Sequence, residues 1–200
     1  MALEDFTTYN ESDPQGKITV TSTKIDVSDF QQTGTSYVVK DKGADFFDAL
    51  NINFEMYVDS TSDDYIYLPI GIGNAGNNNI NNFASTDFYM RGSDFAGTCT
   101  FQIHRGGVTD ASTGLSLSTL YYCTISRAAG NDTVSIKIYS DSGRSTLVDT
   151  ISVSGFGTTK WRYLYGFVNR DVSDANRTVG YIQNMEIIEP AAFMPSMAII

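Results

Sequence analysis

At 200 residues and 21.9 kDa the chain is long enough for one large domain and short for two. Lys and Arg number 13 against 23 Asp and Glu, a formal charge of −10. It therefore lacks the basic stripe that displaces counterions from phosphate, which argues against nucleic-acid binding, and the same charge disfavours anionic membranes. The 12 Tyr, 12 Phe and one Trp are enough to fill a sizeable core.

The opening Met1-Ala-Leu-Glu-Asp-Phe6 has neither the basic nor the apolar region of a signal peptide. No run approaches the 18 apolar residues of a membrane span, so the expectation is a protein made and assembled in cytosol. On that expectation the sequons at Asn10, Asn131 and Asn176 are chance. Strand candidates begin with Lys17–Ser22 and Ser36–Lys40, after the Asp13-Pro14-Gln15-Gly16 breaker. Ala44–Leu50 could hold a short turn of helix. In Leu50–Val58 the residues Leu50, Ile52, Phe54, Met56 and Val58 alternate with Asn51, Asn53, Glu55 and Tyr57, the period of a half-buried strand. Tyr65–Ile72, Asp87–Arg91, Thr98–His104 and Leu120–Arg127 follow. Thr133–Tyr139 repeats the alternation with Val134, Ile136 and Ile138. Ser145–Val153, Trp161–Val168 and Val179–Ile188 complete the set, with Ser173–Arg177 a second candidate for a helical turn. Many strands at short spacing indicate an antiparallel sandwich or barrel, and the absence of βαβ alternation excludes a doubly wound fold. The predicted core includes Ile52, Phe54, Met56, Ile103, Ile125, Val134, Ile136, Ile138 and Ile187. Ile182 and Met185 are an odd number apart, so both face inward only through a bulge.

Several motifs invite a functional reading. Gly71-Ile72-Gly73-Asn74-Ala75-Gly76 matches G-x-G-x-x-G after a strand, but the mechanism needs a helix to begin there. The Asn-rich run that follows favours turns, so a flexible loop between strands is the better reading. Asp59, Asp63 and Asp64 form an acidic loop whose oxygens suit calcium, although the spacing is not that of an EF-hand and a solvated turn is favoured. His104, the only histidine, reads as a surface residue. Cys99 and Cys123 share strand faces with apolar residues and read as free core thiols, and with one histidine they make no zinc site. Glycoside hydrolysis needs paired carboxylates across a cleft. Glu55-Met-Tyr-Val-Asp59 lacks the middle and final acids of the glucanase pattern, and Val179–Ile188 holds only Glu186, so no catalytic residue is assigned. Trp161, Tyr163, Tyr165 and Phe167 alternate along one strand. Aromatic faces stack on sugar rings, which makes Trp161, Tyr163 and Tyr165 carbohydrate candidates; the competing reading is a core strand.

Leu120-Tyr-Tyr-Cys-Thr-Ile-Ser-Arg127, then Gly130, then Val134-Ser-Ile-Lys-Ile-Tyr-Ser-Asp141 resembles the central hairpin of concanavalin A-like, laminin-G-like jelly rolls. Gly180-Tyr-Ile182-Gln-Asn-Met185-Glu-Ile187 is similar to their last core strand. Asp5-Phe-Thr-Thr-Tyr9, Ile18–Thr23 and Tyr37–Gly43 resemble a tailed-phage branch of these domains, as do Tyr139-Ser-Asp141, Arg144, Leu147, Asp149 and Thr150. The resemblance implies an all-β, concanavalin A-like jelly-roll β-sandwich of two antiparallel sheets over residues 1–189, with an extended apolar C-terminal tail over 190–200.

The functional expectation from that branch is a non-enzymatic phage virion structural protein: a capsid decoration, head-fibre or tail-associated jelly roll. Its partners would be capsid or tail proteins and its location the virion, assembled in the host cytoplasm. The alternative is a carbohydrate-binding module for a host or environmental glycan. No cofactor is required by either, calcium at Asp59, Asp63 and Asp64 being the one candidate. The tail after Glu189 carries no charge. Exposed, it is an aggregation hazard, so Phe193, Met194, Pro195, Met197, Ile199 and Ile200 are candidate assembly residues for a homo-oligomer, a trimer among the options, against a reading in which the tail closes its own sandwich.

Overall fold

The computed structural model describes residues 2–61, 70–77, 80–95, 98–112, 114–169 and 174–188. The candidate assembly residues Phe193, Met194, Pro195, Met197, Ile199 and Ile200 lie outside the described residues, as do Asp63 and Asp64.

Strand-forming alternation dominates the chain. The strands are β1 (Asn10–Ser12), β2 (Ile18–Val20), β3 (Lys24–Gln32), β4 (Tyr37–Asp41), β5 (Leu50–Thr61), β6 (Ile70–Gly73), β7 (Phe88–Phe95), β8 (Thr98–Arg105), β9 (Val108–Ala111), β10 (Thr119–Arg127), β11 (Val134–Tyr139), β12 (Leu147–Val153), β13 (Tyr163–Val168) and β14 (Asp174–Ile187). They form two seven-stranded antiparallel sheets. The back sheet runs β12-β11-β10-β5-β14-β3-β2 and the front sheet β1-β4-β13-β6-β7-β8-β9. The only helical pieces among the described residues are 3-10 turns at Phe6–Thr8 and Ile80–Asn82. The helical turn expected at Ala44–Leu50 does not form. Asp45 takes φ +59 and Phe47 instead bridges Trp161. The other candidate turn, at Ser173–Arg177, is corrected as well, because β14 already begins at Asp174.

The core lies between the sheets. Ile52, Phe54, Met56, Ile103, Ile125, Val134, Ile136 and Ile138 are all buried there, and Ile187 packs against them partly buried. Fully burying an aliphatic or aromatic side chain of this kind contributes about 1.5–3 kcal/mol before ordering costs, so the alternating faces of β5, β10 and β11 supply most of what holds the back sheet down. Cys99 and Cys123 sit in this core as free thiols. At one side the Ser152 amide donates to Asp110 Oδ2 at 2.7 Å, which ties the front-sheet edge β9 to the back-sheet edge β12.

Two irregularities decide which side chains face the core. In β13 the register to β4 shifts between Tyr165 and Phe167, across Gly166. A Cβ on Gly166 would lie 2.5 Å from Ile25 Cδ1, so glycine is the residue that fits this bulge. The bulge turns Phe167 to the face opposite Tyr165, and Trp161, which precedes the strand and bridges Phe47, departs from the alternation at the other end. Trp161 and Phe167 enter the inter-sheet core, whereas Tyr163 and Tyr165 lie on the outer face of the front sheet. In β14 the register to β5 shifts between Gln183 and Glu186, with Asn184 at φ +51.

Candidate functional site on the outer face of the front sheet

Asp87, Tyr89 and Arg91 alternate with the buried Phe88 and Met90, so the period of two carries them to the outer face of β7 and its entry. Strand pairing then brings distant residues beside them: Tyr89 lies opposite His104 of β8, which lies opposite Thr109 of β9, and Arg91 lies opposite Gln102. Asp87, Tyr89, Arg91 and His104, with Asn81, Phe83, Ala84 and the Gly106-Gly107 turn, line a depression of about 390 Å³. That is the size of a small-ligand site. Gln102 and Thr109 stand behind it.

The loop between β6 and β7 makes one wall. Phe83 packs edge-on to Tyr89, with ring centroids 5.9 Å apart, and tilts over Tyr165 at 5.2 Å. The three glycines of the G-x-G-x-x-G stretch are what let this loop close on the sheet. A Cβ on Gly71 would lie 2.9 Å from Phe83 Cε2, on Gly73 3.0 Å from Asp87 Cγ, and on Gly76 2.5 Å from Tyr163 Cε1. Each therefore makes room for one side chain, and among the described residues only the single 3-10 turn Ile80–Asn82 follows, too short to present a helix N-terminus to a phosphate. The flexible loop expected here is, in its described part, packed against the sheet.

Asp87 is the chemical centre of the wall. It is 3% exposed. Its Oδ2 accepts from the Ala84 amide at 3.0 Å, and its buried Oδ1 has no hydrogen-bond partner. Burial pushes this carboxyl above its ordinary range, the amides of Ala84 and Asn74 opposing it in part. A buried acceptor without a donor is costly. On the opposite wall the rings of Tyr89 and His104 stack, 4.8 Å apart and 7° from parallel. His104 is 7% exposed, which corrects its reading as a surface residue.

The aromatics expected to bind sugar sit elsewhere. Trp161 is completely buried, its Nε1 donates to the Thr86 carbonyl at 2.8 Å, and the Arg127 guanidinium lies 4.5 Å from its ring centre. Tyr165 is also completely buried, its hydroxyl donating to the Ala75 carbonyl. Neither presents a ring to solvent. Tyr163 stays partly exposed, with Gly76 against its ring and the Arg162 guanidinium 5.2 Å from its centre. Asp59, the described member of the acidic loop, is exposed, and its Oδ1 accepts from Tyr57 Oη and Ser118 Oγ, both at 3.0 Å. Among the described residues no three His, Cys, Asp or Glu side chains converge on a metal position.

This site was not found from the sequence. Its one local signal is the Asp-x-Tyr-x-Arg alternation at 87–91; the partners on β8 and β9 come only with the register.

A two-sheet antiparallel sandwich with this strand order is a concanavalin A-like jelly roll, the fold of lectin domains. Over 94% of this chain and 90% of the other, it superposes on the exoplasmic/lumenal domain of VIP36 in its Ca2+/Man3GlcNAc-bound form, with a TM-score of 0.54 and 10% identity. It is likewise similar to the lectin UEA-II complexed with galactose, at a TM-score of 0.51 and 10% identity over 89% and 91% of the two chains. A functionally unknown protein from Saccharomyces cerevisiae matches at a TM-score of 0.62 and 11% identity, over 93% and 98%. No family model matches the sequence, and no curated protein does. The expectation of a phage virion structural protein is overturned by these likenesses. Two of the three are to sugar-bound structures, one of them a lectin, and none is to a virion protein. The capsid or tail partners and the virion location assembled in host cytoplasm rested on the same branch resemblance and fall with it.

Proposed function

We propose that this protein is a carbohydrate-binding module without catalytic turnover, and that the sugar lies in the depression between the β6–β7 loop, Tyr89 and His104, and the Gly106-Gly107 turn. The observation that carries this reading is the nearly buried Asp87 carboxylate set in the wall of a depression that aromatic rings also line. A carboxylate oxygen accepts from sugar hydroxyls, and the C–H face of a pyranose packs on aromatic rings. The likeness to the sugar-bound VIP36 and UEA-II structures supports the same reading. Calcium accompanies the sugar in the VIP36 structure, and the binding assay is accordingly run both with calcium and with EDTA.

The test is binding of wild type and Asp87→Asn to a panel of neutral oligosaccharides with mannose or galactose termini, followed by calorimetry on the best binder. Wild type should bind at least one, and Asp87→Asn should weaken it by about 10–100-fold, the worth of one charged hydrogen bond. Equal affinities for the two proteins, or no binding by wild type, would refute the site.

A further inference from the structure

We infer that Gln102 is a positioning residue of this pocket, holding the Tyr89–His104 wall in one tautomer and one orientation without touching the ligand. The inference rests on the carbohydrate reading above. Gln102 Oε1 accepts from Arg91 Nε at 2.8 Å and lies 3.0 Å from His104 Nε2. An amide oxygen cannot donate, so His104 Nε2 must carry the proton. In the neutral ring Nδ1 is then an acceptor, and Thr109 Oγ1, 2.8 Å away, donates to it. Both ring nitrogens are thereby committed along the sheet, across β7, β8 and β9. The ring plane that results is the one parallel to Tyr89. A ring fixed at both nitrogens and stacked on a neighbour loses little freedom when a ligand arrives, which is where preorganisation gains affinity.

His104 is the only histidine, so its imidazole gives a single set of nitrogen signals in the full-length protein. Long-range 1H–15N spectra of wild type should show the Nε2–H tautomer. Gln102→Leu removes the shared acceptor. It should give mixed tautomers and weaken binding about tenfold to the best binder of the neutral oligosaccharide panel, while the thermal midpoint reports that the fold is intact. Gln102→Glu still accepts from both donors. It should restore the tautomer and most of the affinity, and raise the imidazole pKa through its charge. An Nδ1–H tautomer in wild type, or Gln102→Leu with unchanged tautomer and affinity, overturns the inference. If the sugar binds in an Asp87-dependent manner but Gln102→Leu binds equally well, this inference alone falls. If wild type binds no sugar, the carbohydrate reading falls and takes it along.

Discussion

Ile182 and Met185 are three residues apart on one strand, yet both point into the core, at 1% and 0% exposure. Strict alternation would put them on opposite faces. The bulge between Gln183 and Glu186 resolves the conflict, and Asn184 absorbs it at φ +51, a left-handed conformation that Asn tolerates better than most residues. Asn184→Val should cost about 1–2 kcal/mol, because a β-branched side chain is strained there, whereas Asn184→Gly should be near neutral. Urea denaturation of the two variants checks the difference.

Asp87 should make sugar binding sensitive to acid. Its carboxyl titrates above the ordinary value of 3.8 in the folded protein. Affinity should therefore fall as pH drops through that raised value, since a protonated oxygen is a poorer acceptor. Stability moves the other way. The cost of burying the ionised form is absent below 3.8 and is incurred as pH rises through the folded value. Asp87→Asn should flatten both profiles, as calorimetric titration and thermal melts across pH would record.

Gly73 is a second handle on the same carboxylate. A methyl group at this position would meet Asp87 Cγ at 3.0 Å. Gly73→Ala should displace the carboxylate and weaken sugar binding by about tenfold, on the scale of one hydrogen bond, with a smaller loss of stability. Unchanged affinity in this variant would show that Asp87 has room to spare.

Trp161 and Arg127 should behave as core residues. Arg127 Nε and both terminal nitrogens donate to the carbonyls of Asn131, Thr159 and Gly157, at 2.6–2.8 Å, while its guanidinium covers the Trp161 ring. Trp161→Ala should cost about 3–5 kcal/mol as a large-to-small core substitution. Arg127→Lys should cost about 1–3 kcal/mol, because one ammonium cannot reach three diverging carbonyls. Denaturant midpoints measure both, and sugar affinity below the unfolding transition should be unaffected by Arg127→Lys.

Asp141 closes the β11–β12 turn by accepting from the Ser145 amide and hydroxyl and from the Thr146 amide. These bonds hold its carboxyl down at about 2. Its contribution is present above the ordinary value of 3.8 and is lost as pH falls through about 2. Asp141→Ala should lower the melting midpoint at neutral pH, and the gap to wild type should close as pH approaches 2.

Local pattern alone carried much of the fold. The alternation of Leu50–Val58 and Thr133–Tyr139 is a consequence of side chains pointing to opposite sides of a strand, so the buried set on β5 and β11 follows from neighbouring residues only. The same parity argument requires the bulge between Ile182 and Met185, and the Asn-rich continuation of the glycine motif removes the helix that a dinucleotide site needs. Tertiary structure decided where the aromatics and the site went. Whether Tyr165 and Phe167 share a face depends on the Gly166 bulge, which is set by the register between β13 and β4 and by the closeness of Ile25, far away in sequence, while Trp161 turns inward where it bridges Phe47. His104 meets Tyr89 and Gln102 meets Arg91 only because β7 and β8 pair in one register, and Asp87 finds its place because Gly73 lies against it without a side chain. Such pairings are chosen by burial summed over two whole sheets, so no short stretch of this sequence contains them.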